Sequence, residues 1–328
     1  MLFIFLTGLS ILLGFLLDLL FADPVKLPHP VVIIGKGIAF LEKSLRRAFP
    51  DTPAGRRGAG AVMAVLIPAT TLAVTGGMCI LAWILHPLLY FALHTLWCWQ
   101  AIAVRGLEKE AKNVYRCLRP ECRIEEARKA VGRIVGRDTA ALDEAGVIRA
   151  AVETVAENFS DGVVAPFFYM MIGGAPLALT YKSINTMDSM VGYKNERYID
   201  FGRWPARLDD AAGFLPARIG ALLWILSAGL LRRRLRASWR IWKRDRRNHA
   251  SPNAAQTEAA CAGALGVQLA GPAWYFGEYY DKPTIGDPER PIEAEDILRT
   301  NRMMGAASMM ALLLCLAGNT LILHGILG

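Results

Sequence analysis

The chain has 328 residues, of which 54% are hydrophobic and 20% are charged, and its formal net charge is +8. Its mean hydropathy is +0.31. This length suits two soluble domains, but the apolar residues form uncharged blocks too long for soluble cores, which excludes an ordinary soluble protein. The six cysteines and five histidines follow no metal-site or CxxC spacing, so neither a metal finger nor thiol chemistry is indicated.

Apolar blocks of membrane-spanning length, which means about 20 residues per helix, account for four predicted spans. Residues 2–22 contain one charge, whereas 58–104 and 303–328 contain no Asp, Glu, Lys or Arg. The middle block is long enough for two spans joined near Gly76-Gly77 or His86-Pro87. The first block lacks the basic start of a signal peptide, so a retained anchor is favoured over a cleaved leader.

Two further apolar stretches are interrupted. Residues 162–181 are uncharged but contain Gly173-Gly174 and two prolines, and the apolar part of 213–231 is too short to cross a membrane alone. Broken helices are tolerated where they are buried in protein or line a cavity, so re-entrant or discontinuous helices are favoured over two imperfect spans. The predicted fold is an all-α, polytopic integral membrane protein with four clear transmembrane helices, two broken or re-entrant segments and cytoplasmic helical loops.

Basic residues predict the orientation of the chain. Residues 23–58 hold seven Lys or Arg, 105–158 hold eleven and 232–247 hold nine, and the positive-inside rule places all three on the cytoplasmic face. The last stretch interleaves Trp239 and Trp242 with its charges and follows an apolar segment, unlike a nucleic-acid-binding tail. We expect an amphipathic helix in contact with anionic lipid, in preference to a substrate funnel.

The largest soluble-looking segment, 105–158, carries opposite charges at helical spacing, as in Glu108 and Lys112. This spacing predicts surface-exposed helices, and Asp138-Thr139 is interpreted as the cap of the helix that follows. The predicted boundaries are 1–328 for a single membrane domain, 105–158 for a cytoplasmic helical insertion and 149–271 for the active-site region.

Residues 149–218 place about a dozen ionisable side chains against uncharged stretches of membrane length. Each costs ~2.5–3.5 kcal/mol at a helix centre, so such groups usually mark a functional site. Mutual neutralisation suffices for any single residue, but a functional site better explains the dense set. Lys182, Asn185 and Asp188 recur every three residues and share one helical face. Carboxylates with amide oxygens suit Mg²⁺ and substrate phosphates, and Lys and Arg suit phosphate and carboxylate groups.

Five segments carry long motifs: DPVKLPHPVVIIG (23–35), AENFSDGVVAP (156–166), YKSINTMDSMVGYK (181–194), ARLDD with a downstream PAR (206–218) and SPNAAQTEAACAGALGVQL (251–269). In content and order they resemble the CobD/CbiB family, membrane adenosylcobinamide-phosphate synthases of cobalamin biosynthesis. The chain departs from the family pattern at five positions: Ala22 and Ala270 replace glycines, Gly213 replaces an asparagine, and Ala255 and Thr257 replace a glycine and a proline.

The resemblance implies a ligase that forms an amide bond. Family members join an amino-alcohol phosphate, 1-aminopropan-2-ol phosphate or ethanolamine phosphate, to the propionate of adenosylcobyric acid, which gives adenosylcobinamide phosphate. ATP and Mg²⁺ are implied, because a carboxylic acid must be activated before it accepts an amine. The implied partners are these small molecules and membrane lipid, with cobalamin synthase and further copies of the chain by family analogy, and no nucleic acid. The implied location is the cytoplasmic membrane, with the site facing the cytoplasm.

Residue roles are hypotheses that combine charge pattern and resemblance. The expected metal ligands are Glu157, Asp161, Asp209 and Asp210. The expected catalytic residues are Lys182, Lys194 and Arg207, which contact phosphate and carboxylate, and Asp188, which orients a lysine or acts as a base. The expected substrate-binding residues are His29, Asn158, Asn185, Arg218, Ser251, Asn253 and Glu258. Two rival classes stay open: a non-catalytic membrane sensor or regulator of the AmpE type, and a transporter with discontinuous helices.

Overall fold

The computed structural model describes residues 1–23, 27–275 and 277–327, and over these ranges the chain is almost entirely helical. Three residues of the 23–35 motif, 24–26, lie outside the described residues. The helices are α1 (Leu2–Phe21), α2 (Pro30–Ala48), α3 (Pro53–Leu85), α4 (Pro87–Ala101), α5 (Val104–Arg116), α6 (Ile124–Val131), α7 (Glu144–Phe159), α8 (Ala165–Val191), α9 (Arg203–Ala212), α10 (Phe214–Leu230), α11 (Leu235–Asp245), α12 (Ala254–Leu265) and α13 (Glu295–Leu327).

A π-helical turn and four short strands complete the described structure. The π-helix, Ser160–Val164, lies between α7 and α8. The strands are β1 (Leu269–Ala270), β2 (Ala273–Tyr275), β3 (Glu278–Tyr280) and β4 (Thr284–Ile285). β1 pairs antiparallel with β4, and β2 with β3. The all-α prediction is confirmed, since these strands are only two or three residues long.

The length and composition of five helical stretches suit membrane crossing. They are Leu2–Phe21, Pro53–Leu85, Pro87–Arg116, Glu144–Val191 and Glu295–Ile326, and a sixth is formed if α9 and α10, bent by 45°, are one span. The protein is therefore a multi-pass membrane protein, as predicted. The join in the second apolar block lies at His86-Pro87, where the His86 side chain accepts a hydrogen bond from the Leu88 N–H and Pro87 begins α4.

The described chain divides into two compact units. The first contains Met1–Ala103, Ala165–Gly213 and the residues from Leu312 onward, and the second contains Val104–Val164 and Phe214–Ala311. In the first unit, α2, α3 and α8 share a core with the segment before α9, and Phe201 of that segment is fully buried. Burying a side chain of this size contributes about 1.5–3 kcal/mol, which holds the start of α9 in place.

Helix α8 is broken at two glycines, as predicted for residues 162–181. Gly173 has φ −148° and ψ 27°, and Gly174 has φ 64° and ψ −158°, so neither is helical. A Cβ on Gly174 would collide with the His94 imidazole. The break frees backbone groups that need partners inside a membrane, and side chains from two other helices supply them. His94 Nε2 accepts from the Ala175 N–H at 3.0 Å, and Asn319 donates to the carbonyls just before the break.

In the second unit, α12 packs closely on its neighbours through small residues, as its composition predicts. A Cβ on Gly263 would lie 2.6 Å from the Ala237 carbonyl of α11. Helix α11 confirms the predicted helix over residues 235–245 of the 232–247 stretch, and in it Trp239 is exposed and Trp242 is buried. The Trp242 indole donates to Gln256 at 3.0 Å. Contact of this helix with lipid stays a prediction.

Two expectations for residues 105–158 are wrong. Helix α7 is not capped by Asp138-Thr139, because the Asp143 side chain accepts from the Gly146 N–H at 2.7 Å and caps it instead. Nor is α7 a surface helix, since ten of its sixteen residues are buried, Glu153 among them. The Glu108–Lys112 ion pair does form on α5, at 2.5 Å.

Candidate functional site

The first unit brings two groups of predicted site residues together where α8 meets α9. Lys182, Asn185 and Asp188 lie on α8 at helical spacing, and Arg207, Asp209 and Asp210 lie on α9. We call these six residues the α8–α9 cluster. A hydrogen bond of 3.3 Å from the Asn185 amide to an Asp209 carboxylate oxygen links the two helices. An amide and a carboxylate of the predicted site are therefore in contact, and their role in binding Mg²⁺ stays a prediction.

A cavity of about 370 Å³ with several charged residues in its lining opens beside this cluster, between the end of α8 and the first turns of α9. Its cationic lining comes from Lys194, Arg203 and Arg207, and its acidic lining from Asp200 and Asp210. Three cations against two carboxylates leave the lining positive, which favours anionic groups such as phosphates and carboxylates. Three of the predicted site residues thus line one cavity.

The cavity wall is held by close backbone contacts that only glycine permits. A Cβ on Gly202 would collide with the Val191 carbonyl, and a Cβ on Gly192 would collide with the Asp188 carboxylate. Asp200 is tied on its other side to Arg56 and Arg57 of α3, with both ion pairs at 3.5 Å. The chain between α8 and α9 is therefore fixed at both its ends and in its middle.

The second unit holds a different polar centre, built from three glutamates. Glu153 and Glu157 lie one turn apart on α7, and Glu258 lies on α12, which packs against α7. We call these three residues the glutamate site. Glu153 is 2% exposed and Glu258 is 4% exposed. Burial of carboxylates is costly unless they are paired or hydrogen-bonded, so the partners of each one decide what the site can do.

Glu153 is fully engaged. One of its carboxylate oxygens accepts from the Ala270 N–H at 2.5 Å, and the other accepts from the Arg137 guanidinium. Burial opposes the charge on Arg137, but the facing Glu153 carboxylate outweighs it, and the pKa of Arg137 is raised. Glu153 therefore joins α7 to the loop before it and to strand β1.

Glu258 is in the opposite situation. Its Oε2 atom is buried and accepts no hydrogen bond from any residue that the structure describes. Burial raises the pKa of Glu258 well above its usual value, and the nearby charges of Glu157 and Glu153 raise it further. Arg137 and Lys282 act in the other direction, but they do not cancel these effects. A buried carboxyl oxygen without a partner is rare in folded proteins and calls for an explanation.

Two basic groups border the glutamate site. Lys282 donates to the Tyr275 hydroxyl at 2.6 Å and lies over that ring at 4.1 Å. His249 accepts from the Ser251 N–H at 3.0 Å. The pKa of His249 is lowered, chiefly by burial and secondarily by the charge of Lys282. The centre thus combines carboxylates with Lys282, Arg137 and a neutral imidazole.

The remaining second-unit residues predicted from the SPN motif meet at the start of α12. The Ser251 hydroxyl accepts from the Asn253 N–H at 3.2 Å, and Arg218 donates to the Asn253 side-chain oxygen at 3.1 Å. Arg218 also lies 3.3 Å from the centre of the Phe214 ring. These contacts hold Ser251-Pro252-Asn253 in a turn that leads into α12, and their role in substrate binding stays a prediction.

Two of the predicted residues, His29 and Asn158, make contacts close to themselves in the sequence, and a third, Asp161, lies in the π-helix. His29 caps α2 by accepting from the Val31 N–H at 3.2 Å, and its other nitrogen lies 3.6 Å from the Asp23 carboxylate. Asn158 donates to the Thr154 carbonyl on its own helix at 2.9 Å. Asp161 lies in the π-helix, a feature often found at functional sites. The substrate-binding role of His29 and Asn158 and the metal-binding role of Asp161 stay predictions.

Sequence reasoning missed Glu153 of the glutamate site. It also missed three residues that contact or border this site: Arg137, His249 and Lys282. Glu153 had a usable signal, because it precedes the predicted Glu157 by one helical turn. Among the residues that the structure describes, no group of three or more His, Cys, Asp or Glu side chains is arranged to hold a metal ion. The predicted metal roles of Glu157, Asp209 and Asp210 are not decided by this finding, because Mg²⁺ commonly uses one or two carboxylates together with substrate phosphates.

Comparison with known proteins agrees with the motifs. The family model described as CobD/Cbib protein matches residues 11–304. Cobalamin biosynthesis protein CobD of Geobacter metallireducens is 49% identical over 315 residues, covering 96% of this chain and 98% of the relative. Cobalamin biosynthesis protein CbiB of Salmonella typhi is 47% identical, covering 95% and 97%, and CobD of Clostridium perfringens is 44% identical, covering 94% and 96%. No solved structure matches the chain significantly. The chain belongs to the CobD/CbiB family of cobalamin biosynthesis proteins.

Proposed function

We propose that this protein is an adenosylcobinamide-phosphate synthase that uses ATP to join an amino-alcohol phosphate to the propionate of adenosylcobyric acid. The observation that carries the proposal is the positive cavity of about 370 Å³ lined by Lys194, Arg203 and Arg207. The reaction brings a carboxylate and several phosphate groups together, and their mutual repulsion must be neutralised. A lining with more cations than carboxylates supplies that neutralisation.

The chemistry proceeds in two balanced steps. In the first, a propionate oxygen attacks the γ-phosphorus of ATP, an O–P bond forms, and ADP leaves with the electron pair of the broken bond. In the second, the amine nitrogen attacks the acyl carbon, a C–N bond forms, and inorganic phosphate leaves. The ammonium substrate gives up two protons, one before attack and one as the amide forms. In this proposal Lys194 and Arg207, which line the cavity, hold the transferred phosphate and the leaving phosphate.

The donor set of the α8–α9 cluster fits Mg²⁺ bound partly through substrate. Asp209 is joined to the Asn185 amide, and Asp210 lines the cavity. Two carboxylates with an amide oxygen are hard oxygen ligands, which suit Mg²⁺ when phosphates and water fill its other positions. The ion would neutralise phosphate charge. We assign Asp188 the orienting role, since its carboxylate lies close to Gly192 at the end of α8.

The orientation supports a reaction on the cytoplasmic face, where ATP is available. The basic residues that flank the spans, seven in 23–58 and nine in 232–247, favour that side. A large corrinoid substrate could reach such a face from solution without entering the membrane.

The test is to incubate the purified protein with adenosylcobyric acid, ethanolamine phosphate and Mg-ATP and to look for the amide by mass. We expect the amide and equimolar ADP from the wild-type protein, and a loss of about 100-fold or more in Asp209→Ala, since electrostatic stabilisation of this kind is worth several kcal/mol. Arg47→Gln, which neutralises an exposed cation outside the cavity, should match the wild type. If the wild-type protein forms no amide whichever substrates are supplied, the sensor class is favoured. If corrinoid moves into vesicles without ADP release, the transporter class is favoured.

A further inference from the structure

The glutamate site contains a carboxyl oxygen for which the described part of the chain supplies no hydrogen-bond donor. Glu258 is 4% exposed, and its Oε2 atom accepts no hydrogen bond from residues 1–23, 27–275 or 277–327. Leaving a buried carboxyl oxygen without a hydrogen-bond partner costs about 1–3 kcal/mol. Replacement by an apolar residue would remove this cost, so the carboxylate is better explained by a ligand that supplies the missing donors.

The charges around this oxygen indicate the chemistry of that ligand. Glu157 and Glu153 act on Glu258 from α7, and Arg137 and Lys282 act on it from the loop before α7 and from the segment after β3. Arg137 is committed to Glu153. With that pair set aside, Glu157, Glu258 and Lys282 remain. The glutamate site therefore suits a ligand that has a positive end and a negative end.

Lys282 retains donors for the negative end. Within the part of the chain that the structure describes, Lys282 donates one hydrogen bond, to the Tyr275 hydroxyl, whereas an ammonium group has three N–H donors. Lys282, Glu157 and His249 are each half-buried, so a small molecule could reach the centre from solution. A corrinoid ring is far too large for a site walled by α7 and α12.

The geometry points to the glutamate site as the binding site for the amino-alcohol phosphate, with its ammonium group on Glu258 and Glu157 and its phosphate on Lys282. This inference rests on the proposed function for the identity of the ligand. Under it, Glu157 faces an ammonium group in place of the metal ion expected from the sequence. An ammonium group donates three hydrogen bonds, and one of them satisfies the buried Oε2 atom.

The test uses the full-length protein and two nucleophiles. Amide formation is followed with ethanolamine phosphate, and acyl activation is followed separately with hydroxylamine, a small amine that traps an acyl phosphate as a hydroxamate and needs no phosphate or ammonium site. Glu258→Gln keeps the shape of the side chain but loses its charge. Glu144→Gln makes the same change at an exposed position at the start of α7 and is the matched control.

We expect Glu258→Gln to raise the KM for ethanolamine phosphate by about tenfold or more, the value of one charge-assisted hydrogen bond. Glu157→Gln should raise it in the same direction, whereas Glu144→Gln should not change it. Hydroxamate formation should be equal in all four proteins. An unchanged KM in Glu258→Gln, or a hydroxamate yield that falls in step with the amide, would overturn the assignment.

Failure of the proposed function would look different. In that case the wild-type protein would make neither amide nor hydroxamate, and the assignment would be judged by equilibrium dialysis alone. The two probes are ethanolamine phosphate and 2-hydroxyethyl phosphate, which differ only in the amine. Preference of the wild type for the first probe, lost in Glu258→Gln, would support the ammonium contact, and equal retention of both probes would overturn it.

Discussion

The ion pair between Arg137 and Glu153 should be one of the largest single contributions to the stability of the second unit. The Glu153 side chain is 3% exposed and the Arg137 side chain is 19% exposed, so the pair is largely removed from water. Arg137→Met would leave the carboxylate with one remaining hydrogen bond, from the Ala270 N–H. Removing one partner of a buried pair costs about 3–5 kcal/mol, and the retained bond and partial exposure place this case near 3 kcal/mol.

The assay is unfolding of the detergent-solubilised protein followed by tryptophan fluorescence, with a double-mutant cycle through Glu153→Gln. The double variant should be more stable than Arg137→Met alone, because it no longer buries an uncompensated charge. Arg133→Met is the matched control, since Arg133 forms an ion pair at 3.6 Å with Glu110 while 61% exposed, and such pairs contribute about 0–1 kcal/mol. A cost for Arg137→Met equal to that of the control, or a coupling below about 0.5 kcal/mol, would refute the reasoning.

Three further predictions concern backbone and charge. Ala270→Gly should raise the free energy of unfolding by about 1 kcal/mol, because Ala270 has φ 56°, a costly conformation for an L-residue; equal chemical denaturation midpoints would contradict this. Gly202→Ala should lower thermal stability and raise the KM for ATP, because its Cβ would collide with the Val191 carbonyl at the cavity wall. Burial acts to raise the pKa of Asp245, but Arg244 and a backbone N–H outweigh it and lower the pKa. The stability from this carboxylate is therefore present above its unfolded pKa of about 3.9 and is lost as pH falls through the lower folded value. Asp245→Asn should flatten the acid limb of a stability–pH curve, and an unchanged limb would refute the assignment.

Features governed by local spacing could be predicted from the sequence. The helical face of Lys182, Asn185 and Asp188 follows from a three-residue period, and its meeting with α9 is seen in the Asn185–Asp209 contact. The break in α8 follows from Gly173-Gly174, because no other residue type adopts the conformation of Gly174 as easily.

Family comparison found two positions where the backbone is strained. Ala22 and Ala270 replace glycines of the family pattern, and both have positive φ in the structure, 55° and 56°. The departure from the pattern was visible in the sequence, but its physical meaning was not, because a lone alanine carries no sign of the φ angle it must adopt. Only the backbone shows that the glycines served conformation in these places.

The glutamate site could not be assembled from the sequence. Glu153 contacts Arg137 sixteen residues away and the Ala270 N–H 117 residues away, and no local pattern encodes such pairings. The short strands escaped prediction for a related reason. β1 and β4 hold only two residues each, and β1 is buried at Leu269 by its partner rather than by any alternation of its own.

The order in which the chain is synthesised gives the break in α8 a further meaning. His94 is made before the break and can accept the Ala175 N–H as soon as α8 enters the membrane. Asn319, which donates to the Met170 and Met171 carbonyls, is made nearly 150 residues later. Until α13 inserts, the Met170 and Met171 carbonyls lack this donor and face hydrocarbon or water. The first unit therefore cannot complete its folding until residue 319 has been made and α13 has inserted, because until then the break in α8 lacks one of its two side-chain partners.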